Sequence, residues 1–257
     1  MTYFDAVLLG IIQGITEFIP ISSDGHLALA ENFGMVNDVP FFFTVSVHVG
    51  TLCATLYFFR HVIFDLIRKV IAREPAAWSV FWALALATIP AAVAGVFLNE
   101  YIDAMSASLV ITGLGFFLSA FWLFGLIRIQ KTAKTMTSVS LKDALIIGLF
   151  QATALLPGAS RSGATIFGAK SRQLLPEDAF TFSFLLSIPA ILGALVLQII
   201  DAQVTMLPQS VVGGVVAAGV GFVALSLLKK IVITNNVGWL AGYCLGLGIL
   251  SVGLGLF

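Results

Sequence analysis

The chain has 257 residues, 59% of them apolar and only 10% charged, with thirteen basic residues balanced by thirteen acidic ones. A soluble domain carries about 25% charged and about 45–50% apolar residues, so a water-soluble fold and a disordered chain are both excluded. Zero net charge removes any global field for nucleic acid, and the class left is an all-α polytopic membrane protein.

The N-terminus, Met1-Thr-Tyr-Phe-Asp5, lacks the basic region of a cleaved signal peptide, so the mature fold is expected to begin there. A first apolar segment, Phe4 to about Ala30, is interrupted by Pro20-Ile-Ser-Ser-Asp-Gly25. Three spans follow at roughly Phe41–Phe59, Ser79–Leu98 and Ala107–Ile127, each long enough to cross about 30 Å of hydrocarbon. After a polar linker, Arg128–Lys142, a second interrupted segment runs from Ala144 to about Ala169, broken at Pro157-Gly-Ala-Ser-Arg-Ser-Gly163. Spans at roughly Phe180–Ile200, Ser210–Leu228 and Gly238–Phe257 complete the chain. Trp78, Trp82 and Trp239 lie near span ends, where indole rings prefer the interface. Cys53 and Cys244 sit in apolar runs without a disulfide framework and read as packing residues.

Proline removes a backbone donor and glycine loosens a helix, so each interrupted segment is expected to fold as two short helices around a loop. Such a loop is tolerated at membrane depth only when buried in protein or lining a wet cavity, which makes both segments re-entrant hairpins; kinked ordinary spans are the alternative. Gly10-Ile-Ile-Gln13 matches Gly148-Leu-Phe-Gln151, and each is followed by a Pro, a Ser-rich loop and a Gly. The chain then divides into a first repeat at 1–127, a linker at 128–142 and a second repeat at 143–257, each repeat a hairpin plus three spans. An odd number of crossings per repeat inverts the second copy, an architecture whose sites form where broken helices meet. Under this topology twelve of the thirteen basic residues fall on one face, which the positive-inside rule makes cytoplasmic. Both termini, the loops Asn99–Met105 and Asp201–Gln209 and the mouth of the site then face outward across a plasma membrane.

The thirteenth basic residue is Arg161, inside the second break between Ser160 and Ser162. An arginine at the bilayer centre costs at least about 2.5–3.5 kcal/mol and needs a partner. Glu17 and Asp24 of the first hairpin are the acids at hand, so one reading is a structural ion pair between hairpins. The other is an anion site, with the planar guanidinium on phosphate oxygens and hydroxyls and helix-start N–H groups around it. Gly158-Ala-Ser-Arg-Ser-Gly163 has P-loop spacing, but Ala164 stands where the lysine belongs and no strand precedes it, so a nucleotide P-loop is rejected.

Gln13 and Glu17 share one helical face, and Ser22, Ser23, Asp24 and His26 follow Pro20. Each has an ordinary explanation: an N-cap for Ser22 or Ser23, a turn for Asp24, an interfacial side chain for His26. Together they supply a nucleophile (Ser23 or His26) and acid–base or metal-binding carboxylates (Glu17, Asp24), opposite a phosphate clamp of Ser160, Arg161, Ser162 and Thr165. Phosphoryl transfer asks for those parts. Carboxylates beside a pyrophosphate favour Mg²⁺ or Ca²⁺, with Gln13, Glu17 and Asp24 as candidate ligands; scattered histidines and remote cysteines argue against zinc. His48, mid-span, could approach the cavity but is expected to be a packing residue, and His61 interfacial.

At these residues the chain resembles the undecaprenyl-pyrophosphate phosphatase family, also called the bacitracin-resistance protein family. Its E/Q-xxx-E motif leading into Pro-x-Ser-Ser-x-Gly-His is similar to Gln13-Gly-Ile-Thr-Glu17-Phe-Ile-Pro-Ile-Ser-Ser-Asp-Gly-His26. Its Pro-Gly-x-Ser-Arg-Ser-x-x-Thr motif resembles Pro157-Gly-Ala-Ser-Arg-Ser-Gly-Ala-Thr165, and Phe182-Ser-Phe-Leu-Leu-Ser-Ile-Pro189 is similar to the pattern that follows. The resemblance covers essentially the whole chain. It implies hydrolysis of a polyprenyl pyrophosphate to the monophosphate and inorganic phosphate on the outer face, recycling the carrier for cell-wall polymers and conferring bacitracin resistance, with a divalent cation. It implies essential roles for Glu17, Ser23 and His26 and for Ser160, Arg161, Ser162 and Thr165, with serine or histidine as attacker left open. Two positions depart from the commoner pattern: Gln13 removes one anionic ligand, and Asp24 stands where a threonine is common. The expected partners are the lipid substrate and membrane lipids, with no nucleic acid; a homodimer is left open. A secondary transporter or polyprenyl-phosphate flippase is the competing function, because inverted repeats with broken helices also build transporters.

Overall fold

A computed structural model describes residues 1–35, 39–200 and 208–256, apart from the side chains of 41, 99, 103 and 197–200. Among the described residues it is all-α, with eleven α-helices. They are α1 (Tyr3–Thr16), α2 (Ser23–Asn32), α3 (Phe41–Phe58), α4 (Arg60–Ile71), α5 (Pro75–Ser106), α6 (Leu109–Arg128), α7 (Leu141–Thr153), α8 (Arg161–Ser171), α9 (Pro176–Ile200), α10 (Pro208–Ile233) and α11 (Gly238–Leu256). Five of them, α5, α6, α9, α10 and α11, contain stretches long and apolar enough to cross a membrane, and α3 with α4 makes a sixth, bent by 69°.

Both interrupted segments are helix–break–helix units, and the same local chemistry builds each. Thr2 and Asp5 form a reciprocal capping box at the start of α1, and Ser140 and Asp143 form one at the start of α7. Ser22 caps α2 by accepting from the Gly25 N–H at 3.3 Å, and Ser160 caps α8 by accepting from the Gly163 N–H at 3.2 Å. The matching glycines Gly10 and Gly148 sit against backbone: an added Cβ would lie 2.7 Å from the Gly213 carbonyl oxygen on α10 and 2.4 Å from that of Ala87 on α5. Hairpin α1–α2 thus packs on a helix of the second half and hairpin α7–α8 on a helix of the first, by the close small-residue approach favoured between helices in lipid.

Helices α6 and α11 pack along each other; α6 lies against α2 and α8, and α11 reaches the first break through Cys244, whose thiol donates to the Pro20 carbonyl at 3.8 Å. The Ser119 hydroxyl on α6 donates to the Gly158 carbonyl at 3.2 Å and accepts from the Ser160 N–H at 2.8 Å. Gly158 adopts φ +83°, and a Cβ there would meet the Thr112 carbonyl oxygen at 2.0 Å, so this turn against α6 admits only glycine. The largest buried cluster joins the two halves, with Phe18 packed on Phe184 at 5.9 Å between ring centroids beside Ile166, Phe180, Leu225 and Leu228.

The expected loops differ in three places. The stretch after Phe59 is the amphipathic helix α4, with no buried residue and with Arg60, Arg68 and Lys69 among exposed Val62, Phe64, Ile67 and Ile71. Its charges keep it below the hydropathy of a span, although its apolar face keeps it helical. Helix α5 runs on to Ser106, so the expected loop Asn99–Met105 is helical; neither Pro nor Gly interrupts it, and the chain turns only at Ser108, the N-cap of α6. Residues 201–207 of the expected loop Asp201–Gln209 lie outside the described residues. The linker Arg128–Lys142 is pinned rather than free. Lys134 and Arg172 pair with the buried Asp143 at 2.8 and 2.7 Å, and the Asp178 carboxylate accepts from the Met136 N–H at 2.9 Å. Burial pushes the Asp143 carboxyl up, but hydrogen bonds from Lys134, Arg172 and Ser140 outweigh it and hold the group well below the carboxylate range.

Candidate active site

The two breaks bring the N-termini of α2 and α8 to one cavity of about 190 Å³. Its polar wall is Thr16 at the end of α1, Glu17, Ser22, Ser23 and Asp24 from the first break, Ser160 and Arg161 from the second, and His48 from α3. Ala154, Leu155, Ala190, Ile191, Ala194 and Leu195 form its apolar side. Two helix N-termini and a guanidinium make it anion-seeking, and two carboxylates oppose them.

Glu17 is the hub. One carboxylate oxygen accepts from the Arg161 guanidinium, across 144 residues of sequence. The other accepts from the Ser23 hydroxyl at 2.8 Å and from the Gln13 amide at 3.2 Å. Glu17 and Arg161 are mostly buried, with side chains 8% and 18% exposed, so the pair satisfies the requirement that a cation inside the bilayer find an anion. Among the described residues Arg161 Nη1 is buried and without a partner, a donor that an anionic oxygen would fill. The ion-pair and anion-site readings thus meet in one arrangement: Glu17 occupies the guanidinium, and part of the fork stays unused.

The remaining clamp residues divide. Ser160 lines the cavity, whereas Ser162 and Thr165 do not. The Ser162 hydroxyl donates to the Phe18 carbonyl at 3.0 Å, and Thr165, one turn along α8 from Arg161, bonds to Ser183 on α9 at 2.5 Å. Both are buried and join α8 to its neighbours. His26 is not on the cavity wall either: Nδ1 meets the Ser22 carbonyl oxygen at 2.6 Å and Nε2 the Tyr243 hydroxyl at 2.8 Å. His48 corrects the expectation of a packing role, since it lines the cavity with Nδ1 held by the Thr44 carbonyl at 2.8 Å. An ionisable residue amid an apolar span was the signal for it. Ser119 and Tyr243 give no signal in the sequence, because an isolated Ser or Tyr in a span carries no pattern.

Among the described residues no group of three His, Cys, Asp or Glu side chains could hold a metal ion. The cavity does offer hard oxygen donors, with Glu17, Ser23 and Asp24 in its lining. One or two carboxylates completed by substrate oxygens is the ordinary Mg²⁺ arrangement, so the residues fit a cation that arrives with a pyrophosphate.

Comparison with known proteins shows the family. The family model described as bacitracin resistance protein BacA matches residues 6–250. The chain belongs to that family. It is 37% identical over 255 residues to undecaprenyl-diphosphatase 3 of Bacillus cereus, covering 97% of this chain and 96% of the relative. It is 38% identical over 241 residues to undecaprenyl-diphosphatase of Methanococcus vannielii, covering 93% and 94%, and 37% identical over 250 residues to that of Thermosipho melanesiensis, covering 97% and 98%.

Proposed function

We propose that this membrane protein hydrolyses undecaprenyl, or a similar polyprenyl, pyrophosphate to the monophosphate and inorganic phosphate, recycling the lipid carrier of cell-wall polymers and conferring bacitracin resistance. The observation that carries the reading is Glu17, which bonds the Arg161 guanidinium through one oxygen and the Ser23 hydroxyl through the other. A pyrophosphate entering between the helix N-termini competes for Arg161 and frees Glu17 to take a proton. Ser23 Oγ bonds to the terminal phosphorus as its proton passes to Glu17, and the electron pair of the broken P–O bond leaves with the prenyl monophosphate. Water then attacks the phosphoserine, restoring the hydroxyl and releasing phosphate. Ser23 is the attacker in this scheme because it lies on the cavity wall, whereas both ring nitrogens of His26 are engaged elsewhere.

Asp24 is the carboxylate that would hold Mg²⁺ or Ca²⁺ while Glu17 takes the proton, and the ion would neutralise charge on the pyrophosphate oxygens. A lipid rather than a soluble pyrophosphate is supported by a neighbouring apolar cavity of about 400 Å³ between α5 and α9, which shares Leu155, Ala190 and Ala194 with the polar one. The repeats 1–127 and 143–257 are read as inverted copies in a plasma membrane. The basic residues of α4 and of the linker then face the cytoplasm, with both termini and the mouth of the site outside.

Purified protein in detergent should release phosphate from a polyprenyl pyrophosphate without any gradient, and Ser23→Ala should abolish it. No release with any divalent cation would favour a transporter instead. A cysteine introduced at Ser106 should react with a membrane-impermeant reagent on intact cells; reaction only after lysis overturns the orientation.

A further inference from the structure

Outside the polar cavity, one constellation is not absorbed by the proposed reaction. His26 lies between Tyr243 of α11, nearly parallel at 17° and 5.7 Å between ring centroids, and Phe116 of α6, edge-on at 5.6 Å. The Ser22 carbonyl oxygen can only accept, so Nδ1 of His26 carries a proton. Nε2 of the neutral ring then accepts from the Tyr243 hydroxyl. His26 is half-buried and Tyr243 exposed, and loss of either residue removes the other's bond.

The backbone this ring holds is unusual. Ser22 has φ +70° and ψ 108°, a region disfavoured for a non-glycine residue, and it immediately precedes Ser23. Its carbonyl receives two bonds from the same residue, the His26 ring at 2.6 Å and the His26 N–H at 3.3 Å. The Ser22 hydroxyl caps the helix that starts at Ser23.

We propose that Tyr243 is a positioning residue: by donating to Nε2 it fixes the His26 tautomer, and through Nδ1–H that ring clamps the strained Ser22 turn so that the Ser23 hydroxyl stays on Glu17. The last helix of the chain thereby sets the geometry of the first break. His26 acts through the backbone and transfers no proton to substrate. This inference rests on the reading of Ser23 as attacker.

The test compares kcat and KM for phosphate release from a polyprenyl pyrophosphate. Tyr243→Phe keeps the stacked ring and loses only the hydroxyl; kcat should fall about tenfold with KM within twofold of the parent, the loss of one positioning bond at about 1.36 kcal/mol per tenfold. Unchanged kcat overturns the proposal. Independently of that variant, His26→Asn sets an amide N–H near the Nδ1 position and should keep at least about tenfold more activity than His26→Gln, whose amide falls near Nε2. Asn and Gln variants equally inactive would show that the imidazole itself does chemistry, which also overturns it. Ser23→Ala distinguishes the two failures: full activity there sinks the reading of the attacker, whatever Tyr243→Phe does.

Discussion

Gln13, Ser22, Ser23 and Gly25 of the first break occupy the same steps as Gln151, Ser160, Arg161 and Gly163 of the second. The caps and glycines are shared, and with them the backbone course: a capping box, a short helix, a turn, and a Ser-capped helix start aimed at the cavity. The chemistry differs at four steps, two of which are Asp24 against Ser162 and His26 against Ala164. The first residue of the second helix is Ser23 in one copy and Arg161 in the other, and Glu17 is matched by Leu155. Common geometry therefore comes from small polar caps, while opposite function comes from the neighbouring side chains. Neither copy is self-sufficient, since each would bury a charge with no counter-ion at hand, and a buried charge is tolerated when paired. The ion pair between Glu17 and Arg161 couples the halves and builds the site together. Leu155, where the second copy lacks a carboxylate, is shared by the polar and the apolar cavity.

That asymmetry can be broken one side at a time. Ser23→Ala should lower kcat by at least about 10³-fold, as loss of an attacking group does, with no phosphoenzyme trapped in a single turnover; a trapped phosphoenzyme in this variant would move the attack elsewhere. Arg161→Lys keeps the charge but not the fork, and should cost about 10²-fold in kcat/KM. Near-parental turnover would show that a point charge suffices.

Asp143→Asn, at the capping box of the second hairpin, should destabilise the protein by about 2 kcal/mol, discounting the buried-pair value because both cationic partners are one-third exposed. Asp5→Asn, its less buried counterpart, should cost much less. The sign with pH follows from the depressed Asp143 carboxyl: its stabilisation is fully present above the unfolded-state value near ~4 and is lost as pH falls through the lower folded-state value. Thermal unfolding should therefore show a constant gap between parent and Asp143→Asn from pH 5 to pH 8 (about neutral conditions), and a gap that widened on going up through this range would contradict the ion-pair account.

The smallest contrast is between the two glutamines. Gln13 donates to Glu17, so Gln13→Leu should lower kcat about tenfold. Gln151 is buried with neither amide atom partnered among the described residues, so Gln151→Leu should leave activity unchanged and unfolding temperature equal or higher. Equal losses at both positions would mean that the second glutamine binds something of its own.

Hydrocarbon thickness and backbone satisfaction are one-dimensional constraints, and for that reason much of this molecule is legible along the chain. The spans follow from apolar runs, the breaks from Pro20 and from Pro157-Gly158, and the need of Arg161 for Glu17 or Asp24 from the cost of an unpaired charge in lipid. Helix α4 and the end of α5 escaped this reading because they are helical without being apolar throughout. What only the tertiary structure decided is direction. Side chains one or four steps from Arg161 on α8, Ser162 and Thr165, face Phe18 and Ser183 rather than the cavity, His48 reaches the cavity from another helix, and Tyr243 closes on His26 across 217 residues. A span's hydropathy says that it crosses the membrane; the angle at which it packs on its neighbours sets which of its few polar groups meets which, and that angle is a property of the assembled interfaces.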